Sequence, residues 1–152
     1  MKVSNVLNKE LIFLNKNFSN TDELFDFVGK EAKELELAKD SYADALKARE
    51  LDFPTALEFN NIGVAIPHAD SEHINSEFIS LITLEEPIKF SAMEDSSRKI
   101  EVNIVFVLGL LKANDQLETL QTIIQLLQEK NTLSYINNAT NVDVIIDALN
   151  SV

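Results

Sequence analysis

The chain has two histidines, and both lie in one short stretch, "NNIGVAIPHADSEH", Asn60 to His73. An apolar run stops at Pro67 and His68 follows at once. A neutral imidazole, with an ordinary pKa of roughly 6.5, offers an unprotonated nitrogen near neutral pH. Three roles fit His68 by position. It can cap a strand end, join Asp70 and His73 as a metal ligand, or act as a nucleophile. The metal role is the weakest, because His68 and His73 follow no usual zinc spacing and Asp70, Ser71 and Glu72 read as a solvated turn. A second residue stands out upstream. Arg49 lies i+4 from Ala45 and i+3 from Leu46, on the same helical face as these apolar residues. Such an arginine either snorkels to the surface from a helix end or aims its guanidinium at an anion in a cleft.

Composition removes several alternatives. There is no cysteine, so disulfides, thiolate metal sites and cysteine nucleophiles are excluded. Gly29, Gly63 and Gly109 are the only glycines and no two are close. Neither GxGxxG nor GxxxxGK[ST] can be built from them. A phosphate handled here would therefore not come from a nucleotide in a P-loop, and no cofactor or metal is expected. The formal charge of −12 argues against nucleic acid or an anionic membrane as main partner, since phosphate contacts want Lys or Arg. It suits steering toward a basic protein, or serves solubility alone.

The elements that must position these residues follow from periodicity. Glu10 to Asn17 reads as a first strand. Asn20 or Thr21 opens a helix in "TDELFDFVGKEAKELE", with Phe25, Val28, Ala32 and Leu35 on one face. A second helix starts near Ser41, with Ser41-x-x-Asp44 as a capping box, and turns Tyr42, Ala45, Leu46 and Arg49 to one side. Strands are expected at Ala56–Phe59, Ile62–Ile66, Phe78–Leu84 and Ile100–Leu108, with a short edge strand at Ile88–Phe90. The last long strand ends apolar on both faces, as a buried strand does. "NDQLETLQTIIQLLQEK" is an amphipathic helix with Leu117, Leu120, Ile124 and Leu127 inward. "NVDVIIDALNS" is a final helix with Val142, Ile145, Ala148 and Leu149 inward. The order predicts an α/β fold, a single domain over 1–152 with a mixed β-sheet sandwiched by helices. Its 152 residues, 45% hydrophobic, suffice for a core. Ile104 to Leu111 is too short to span a bilayer, which needs ~20 residues, and the N-terminus has no apolar signal-peptide core. A cytoplasmic location is expected. Pro67 ends the pairing of its strand, which leaves His68 at the sheet's end, where α/β crevices lie.

The stretch "LKARELDFPTALEFNNIGVAIPHAD", Leu46 to Asp70, resembles the signature of fructose/mannitol-type IIA domains of the bacterial phosphotransferase system. The likeness rests on Arg49-Glu50, Pro54-Thr55 and Ala65-Ile66-Pro67-His68, and on helix order and chain length. It implies that His68 accepts a phosphoryl group from the carrier protein HPr and passes it to a IIB component, with IIC in the membrane. It implies that Arg49 faces the phosphoryl oxygens. The donor would itself be a phosphohistidine, which makes a nucleotide loop unnecessary. Phosphoryl transfer depends mainly on positioning and electrostatics.

One position departs from that pattern. Mannitol and fructose IIA domains carry a second histidine at the start of the helix after the long central strand, where this chain has Gln116. A glutamine amide can donate to a phosphoryl oxygen but cannot change charge. Gln116, together with "ARE-x-x-FPT" (Ala48 to Thr55) and the "QL-x-x-L" helix (Gln116 to Leu120), looks most like the galactitol-specific branch. The resemblance leaves a regulatory alternative, a nitrogen-type IIA-like phosphoprotein that acts by binding. It assigns His73 no role.

Overall fold

The computed structural model describes residues 3–150. The expected domain range 1–152, and the end of the last helix at Ser151, extend outside the described residues. A short α1 (Val3–Val6) leads into β1 (Leu7–Lys16), followed by α2 (Thr21–Glu34) and α3 (Tyr42–Asp52). Then come β2 (Ala56–Phe59), β3 (Ile62–Ala65), a 3-10 turn (Ser71–His73), β4 (Phe78–Ser91) and β5 (Lys99–Gly109). The chain closes with α4 (Ala113–Leu127), α5 (Lys130–Asn138) and α6 (Val142–Asn150).

The sheet has five strands in the order β1-β4-β5-β3-β2. β1 runs parallel to β4 and β3 parallel to β5, while β4 and β5, and β2 and β3, are antiparallel. The mixed sheet expected from the sequence is therefore present. Helices cover both faces. On one, Leu24, Phe25 and Val28 of α2 and Leu46 of α3 pack on Phe78, Ile82 and Val105. On the other, Ile123, Leu127, Leu133, Ile136, Ile145 and Leu149 pack on Val64, Ile79 and Phe106. Each face of the central strands is thus buried, which explains why β5 reads apolar on both sides.

Local chemistry accounts for several boundaries. The Asn20 side chain accepts the Glu23 N–H at 2.9 Å and starts α2. The capping box expected at Ser41 does not form: Ser41 makes no side-chain cap bond and instead meets the His73 ring, Oγ to Nδ1 at 2.7 Å. The two strands expected around Pro87 are one long β4, whose register with β5 shifts between Thr83 and Ile88. β1 pairs with β4 only as far as Leu84, so Pro87 lies past that partner, where its missing N–H is tolerated. Helix α5 is not among the expected elements. Leu133 and Ile136, spaced i and i+3, are its buried anchors in a nine-residue helix. In α4 the inward face is Ile123, Leu126 and Leu127; Leu117, expected inside, is 58% exposed. Leu120 and Ile124, also expected inside, pack partly buried against this core.

Gly63 fixes the approach of β3 to β5. A Cβ at this position would lie 2.0 Å from the Glu101 carbonyl oxygen. Only glycine lets the two parallel strands close up before β3 delivers His68.

Candidate active site

The site lies where β3 and β5, running in parallel, reach their C-terminal ends. Beyond Ala65 the chain still follows β5: the Leu108 N–H donates to the Pro67 carbonyl at 3.0 Å, and His68 bridges to Leu108. The imidazole is thereby held against a fixed strand. Its Nδ1 lies 3.0 Å from the Ile66 carbonyl oxygen. A carbonyl only accepts, so Nδ1 carries the proton and Nε2 keeps its lone pair. Burial lowers the ring's pKa, and the Arg49 charge lowers it further, against opposing effects from the Ile66 hydrogen bond and Asp70. The ring is neutral near pH 7, the form a nucleophile requires.

Arg49 comes from the last turn of α3. The helix and the strand end place it with His68 on one cleft of about 420 Å³, which also has Asp52, Phe53, Thr55, Glu94 and Asp95 on its walls. Nη1 donates to Asp70 Oδ1 at 3.2 Å. The guanidinium carbon sits 4.7 Å from the centre of the Phe53 ring, a cation–π stack. Nε is buried and has no hydrogen-bond partner, a condition proteins rarely leave in place without a purpose. Arg49 therefore does not simply snorkel. It is braced by Phe53 and Asp70, with Nε among the donors left unspent.

Gln116 lies in the first turn of α4. It lines a second, smaller cleft of about 190 Å³ with His68, Leu108, Ala113 and Leu117. Its Nε2 donates to the carbonyls of Leu110 at 3.3 Å and Ala69 at 3.5 Å. The amide thus ties the start of α4 to the backbone next to His68. Of the three residues singled out by sequence, Arg49 lines one cleft and Gln116 the other, and His68 borders both. The metal trio does not assemble. Asp70 pairs with Arg49 and His73 with Ser41, and no group of three potential ligands able to hold a metal occurs among the described residues.

Sequence reasoning marks Glu50 and Thr55 only as parts of a signature. The structure gives them a shared place. Glu50 Oε1 accepts the Thr55 N–H at 2.9 Å, and Thr55 Oγ lies 2.9 to 3.0 Å from both carboxylate oxygens. Thr55 Oγ in turn accepts the Ile66 N–H at 3.1 Å. Since the Ile66 carbonyl holds the His68 ring, a chain of polar groups runs from Glu50 to the imidazole. Burial raises the Glu50 pKa to about 7 despite the two Thr55 hydrogen bonds. Tyr42, a core residue by its helical spacing, also makes a polar contact. Its hydroxyl donates to the Leu108 carbonyl at 2.9 Å, bracing the strand beside His68. The spacing of a single sequence carries no signal for either long-range contact.

Residues 5–152 match the family described as phosphoenolpyruvate-dependent sugar phosphotransferase system, EIIA 2, and the chain belongs to that family. It is thus a IIA-type phosphotransferase component. Within the family, the galactitol-specific EIIA component of Escherichia coli K12 is similar: 27% identical over 113 residues, 74% of this chain and 75% of that protein. Among solved structures, enzyme IIAMTL of Escherichia coli, seen in complex with phosphorylated enzyme IIBMTL, has a TM-score of 0.80 at 19% identity, covering 96% of this chain and 98% of that one. The nitrogen regulatory protein IIA-Ntr of Neisseria meningitidis has a TM-score of 0.78 at 20% identity, over 97% and 98% of the two chains. At such identities the two structures show a common fold. Among the described residues no helix is long and apolar enough to cross a membrane.

Proposed function

We propose that this protein is a phosphoryl carrier in a sugar phosphotransferase system, with His68 as the residue that bears the phosphoryl group. The observation that carries this is the His68 ring itself: Nδ1–H is committed to the Ile66 carbonyl, which leaves Nε2 as the available lone pair. In the transfer step Nε2 attacks the phosphorus of phospho-HPr. A new P–N bond forms as the donor's P–N bond breaks, and the bonding pair returns to the donor imidazole. His68 loses no proton in that step, because Nδ1–H is kept. The partly positive ring that results is steadied by the Ile66 carbonyl. Arg49 supplies Nε to the phosphoryl oxygens from one side. Gln116 holds the backbone on the other side and can turn its amide to the same oxygens.

The group then passes to a IIB component that serves a membrane IIC. The similarity to a galactitol-specific EIIA component supports uptake of galactitol or a related polyol, with a cytoplasmic place of action. Phe53 and Met93 on one cleft and Leu117 on the other expose apolar surface around His68, which suits docking of protein donors and acceptors. The test is incubation with phosphorylated HPr and mapping of the label. An acid-labile label on His68 is expected, lost in His68→Ala and largely kept in His73→Ala. Label on His73 or on a carboxylate would overturn the assignment. Onward transfer to a IIB protein separates a transport role from a regulatory one.

A further inference from the structure

We propose that Asp70 sets the phosphoryl-transfer potential of this site, by restraining Arg49 and placing a negative charge against the phosphorylated His68. This rests on the reading of His68 as phosphoryl carrier. Asp70 Oδ1 accepts from Arg49 Nη1 at 3.2 Å. The guanidinium keeps its Nη2 donors and the buried, unpartnered Nε. The geometry therefore divides one guanidinium between two anions: Nη1 goes to Asp70, and the Nε edge remains for a phosphoryl group. A phosphoryl group brings a charge of about −1.5 to −2 into a cleft that already holds Asp70.

Asp70 cannot simply withdraw. Its backbone is fastened on both sides. Upstream, His68 is bridged to Leu108. Downstream, the His73 N–H donates to the Asp70 carbonyl at 3.2 Å. The turn Ser71–His73 is then pinned to the start of α3. The Lys39 N–H reaches the His73 carbonyl at 3.0 Å, Lys39 Nζ reaches the Glu72 carbonyl at 2.8 Å, and Ser41 Oγ meets His73 Nδ1 at 2.7 Å. This gives His73 a structural purpose: it anchors the turn that holds Asp70 beside Arg49. The carboxylate itself is largely exposed, at 69%, so its effect on a neighbouring charge is moderate rather than large.

A carrier must give up what it accepts. Full neutralisation of the phosphoryl charge by Arg49 would trap the group on His68. Sharing Arg49 with Asp70 keeps the phosphorylated state high enough in free energy to donate. Asp52, Glu94 and Asp95 line the same cleft, but Glu94 is paired with Arg98 and Asp95 is bonded to Ser97. Asp70 is the carboxylate in contact with Arg49.

The experiment measures the equilibrium between phospho-HPr and this protein, from the fraction of label on each after mixing. Asp70→Asn keeps an oxygen acceptor for Nη1 but removes the charge. It is expected to move the equilibrium toward the phosphorylated carrier by about three- to tenfold, the scale of one exposed charge acting on a multiply charged group. Asp70→Glu should stay within about twofold of wild type, since the charge is retained. Asp52→Asn, which removes a charge from the rim without touching Arg49, should move it by less than half as much as Asp70→Asn. A shift below about twofold in Asp70→Asn, a shift toward phospho-HPr, or an equal shift in Asp52→Asn would overturn the inference. Failure of wild-type His68 to take label at all would instead overturn the proposed function.

Discussion

Glu50→Gln should change how stability depends on pH, and the sign can be worked from the structure. Burial raises the Glu50 pKa from 4.5 to about 7. Between those values the folded protein keeps a proton that the unfolded chain releases. Glu50 therefore contributes stability that is fully present below about pH 4.5 and is lost as pH rises through about 7. At 1.36 kcal/mol per pH unit, the difference between the two pKa values sets an upper bound of about 3 kcal/mol. Glu50 retains partial contact with solvent, which reduces the expected loss to about 1–2 kcal/mol. His68 works in the opposite direction, because its folded pKa is lowered; its contribution is present above its ordinary value and is lost as pH falls. That contribution is common to wild type and variant, so it cancels in their difference. The assay is urea unfolding followed by circular dichroism between about pH 5 and 8 at constant ionic strength. Relative to wild type, Glu50→Gln should gain about 1–2 kcal/mol across that interval. A difference that stays flat within about 0.3 kcal/mol, or one that falls with pH, would refute a carboxyl group strained by burial.

Three further outcomes are expected. Arg49→Ala should slow transfer from phospho-HPr by about ten- to a hundredfold while leaving the urea midpoint nearly unchanged, and Arg49→Lys should recover only part of the rate because an ammonium lacks both the fork and Nε; rapid-quench rates at wild-type level in Arg49→Ala would remove Arg49 from the site. Gln116→Leu should lose about 1.5–3 kcal/mol of transition-state stabilisation, and Gln116→His should restore transfer with a pH dependence between about pH 6 and 8 that wild type lacks. Gly63→Ala drives a methyl carbon to 2.0 Å from the Glu101 oxygen and should destabilise the fold by about 3 kcal/mol or more; an unchanged thermal midpoint would show that β3 and β5 can part without cost.

Periodicity locates most strands and the α2 helix because one face of each is buried in a regular way, whereas α3 buries only Tyr42 and Leu46. It fails where that regularity fails. Leu117 fits the apolar face of α4 in the sequence, yet it is 58% exposed. Pro67 announces the end of β3, since proline cannot continue a ladder, and so the position of His68 at a strand end is legible. The apolar-face location of Arg49 announces an unusual guanidinium, because a charge rarely rests against a core without a partner, and Asp70 supplies one.

What the sequence determined by itself was therefore which residue types are available and where each local element must stop: one imidazole after a proline, one arginine on an apolar face, no glycine loop for a nucleotide. What only the tertiary structure decided was who meets whom. The parallel run of β3 beside β5 brings Gln116 to His68, and the packing of α3 brings Arg49 to Asp70. The folding of the 53–55 segment onto β3 sets Thr55 between Glu50 and the Ile66 amide. Hydrogen bonds have strict reach and direction, a few tenths of an ångström and a few tens of degrees, and linear spacing does not encode either across a sheet. The proton on Nδ1 of His68, which leaves Nε2 with the free lone pair, belongs to that second category: it is set by a carbonyl two residues away that only the turn after β3 points back at the ring.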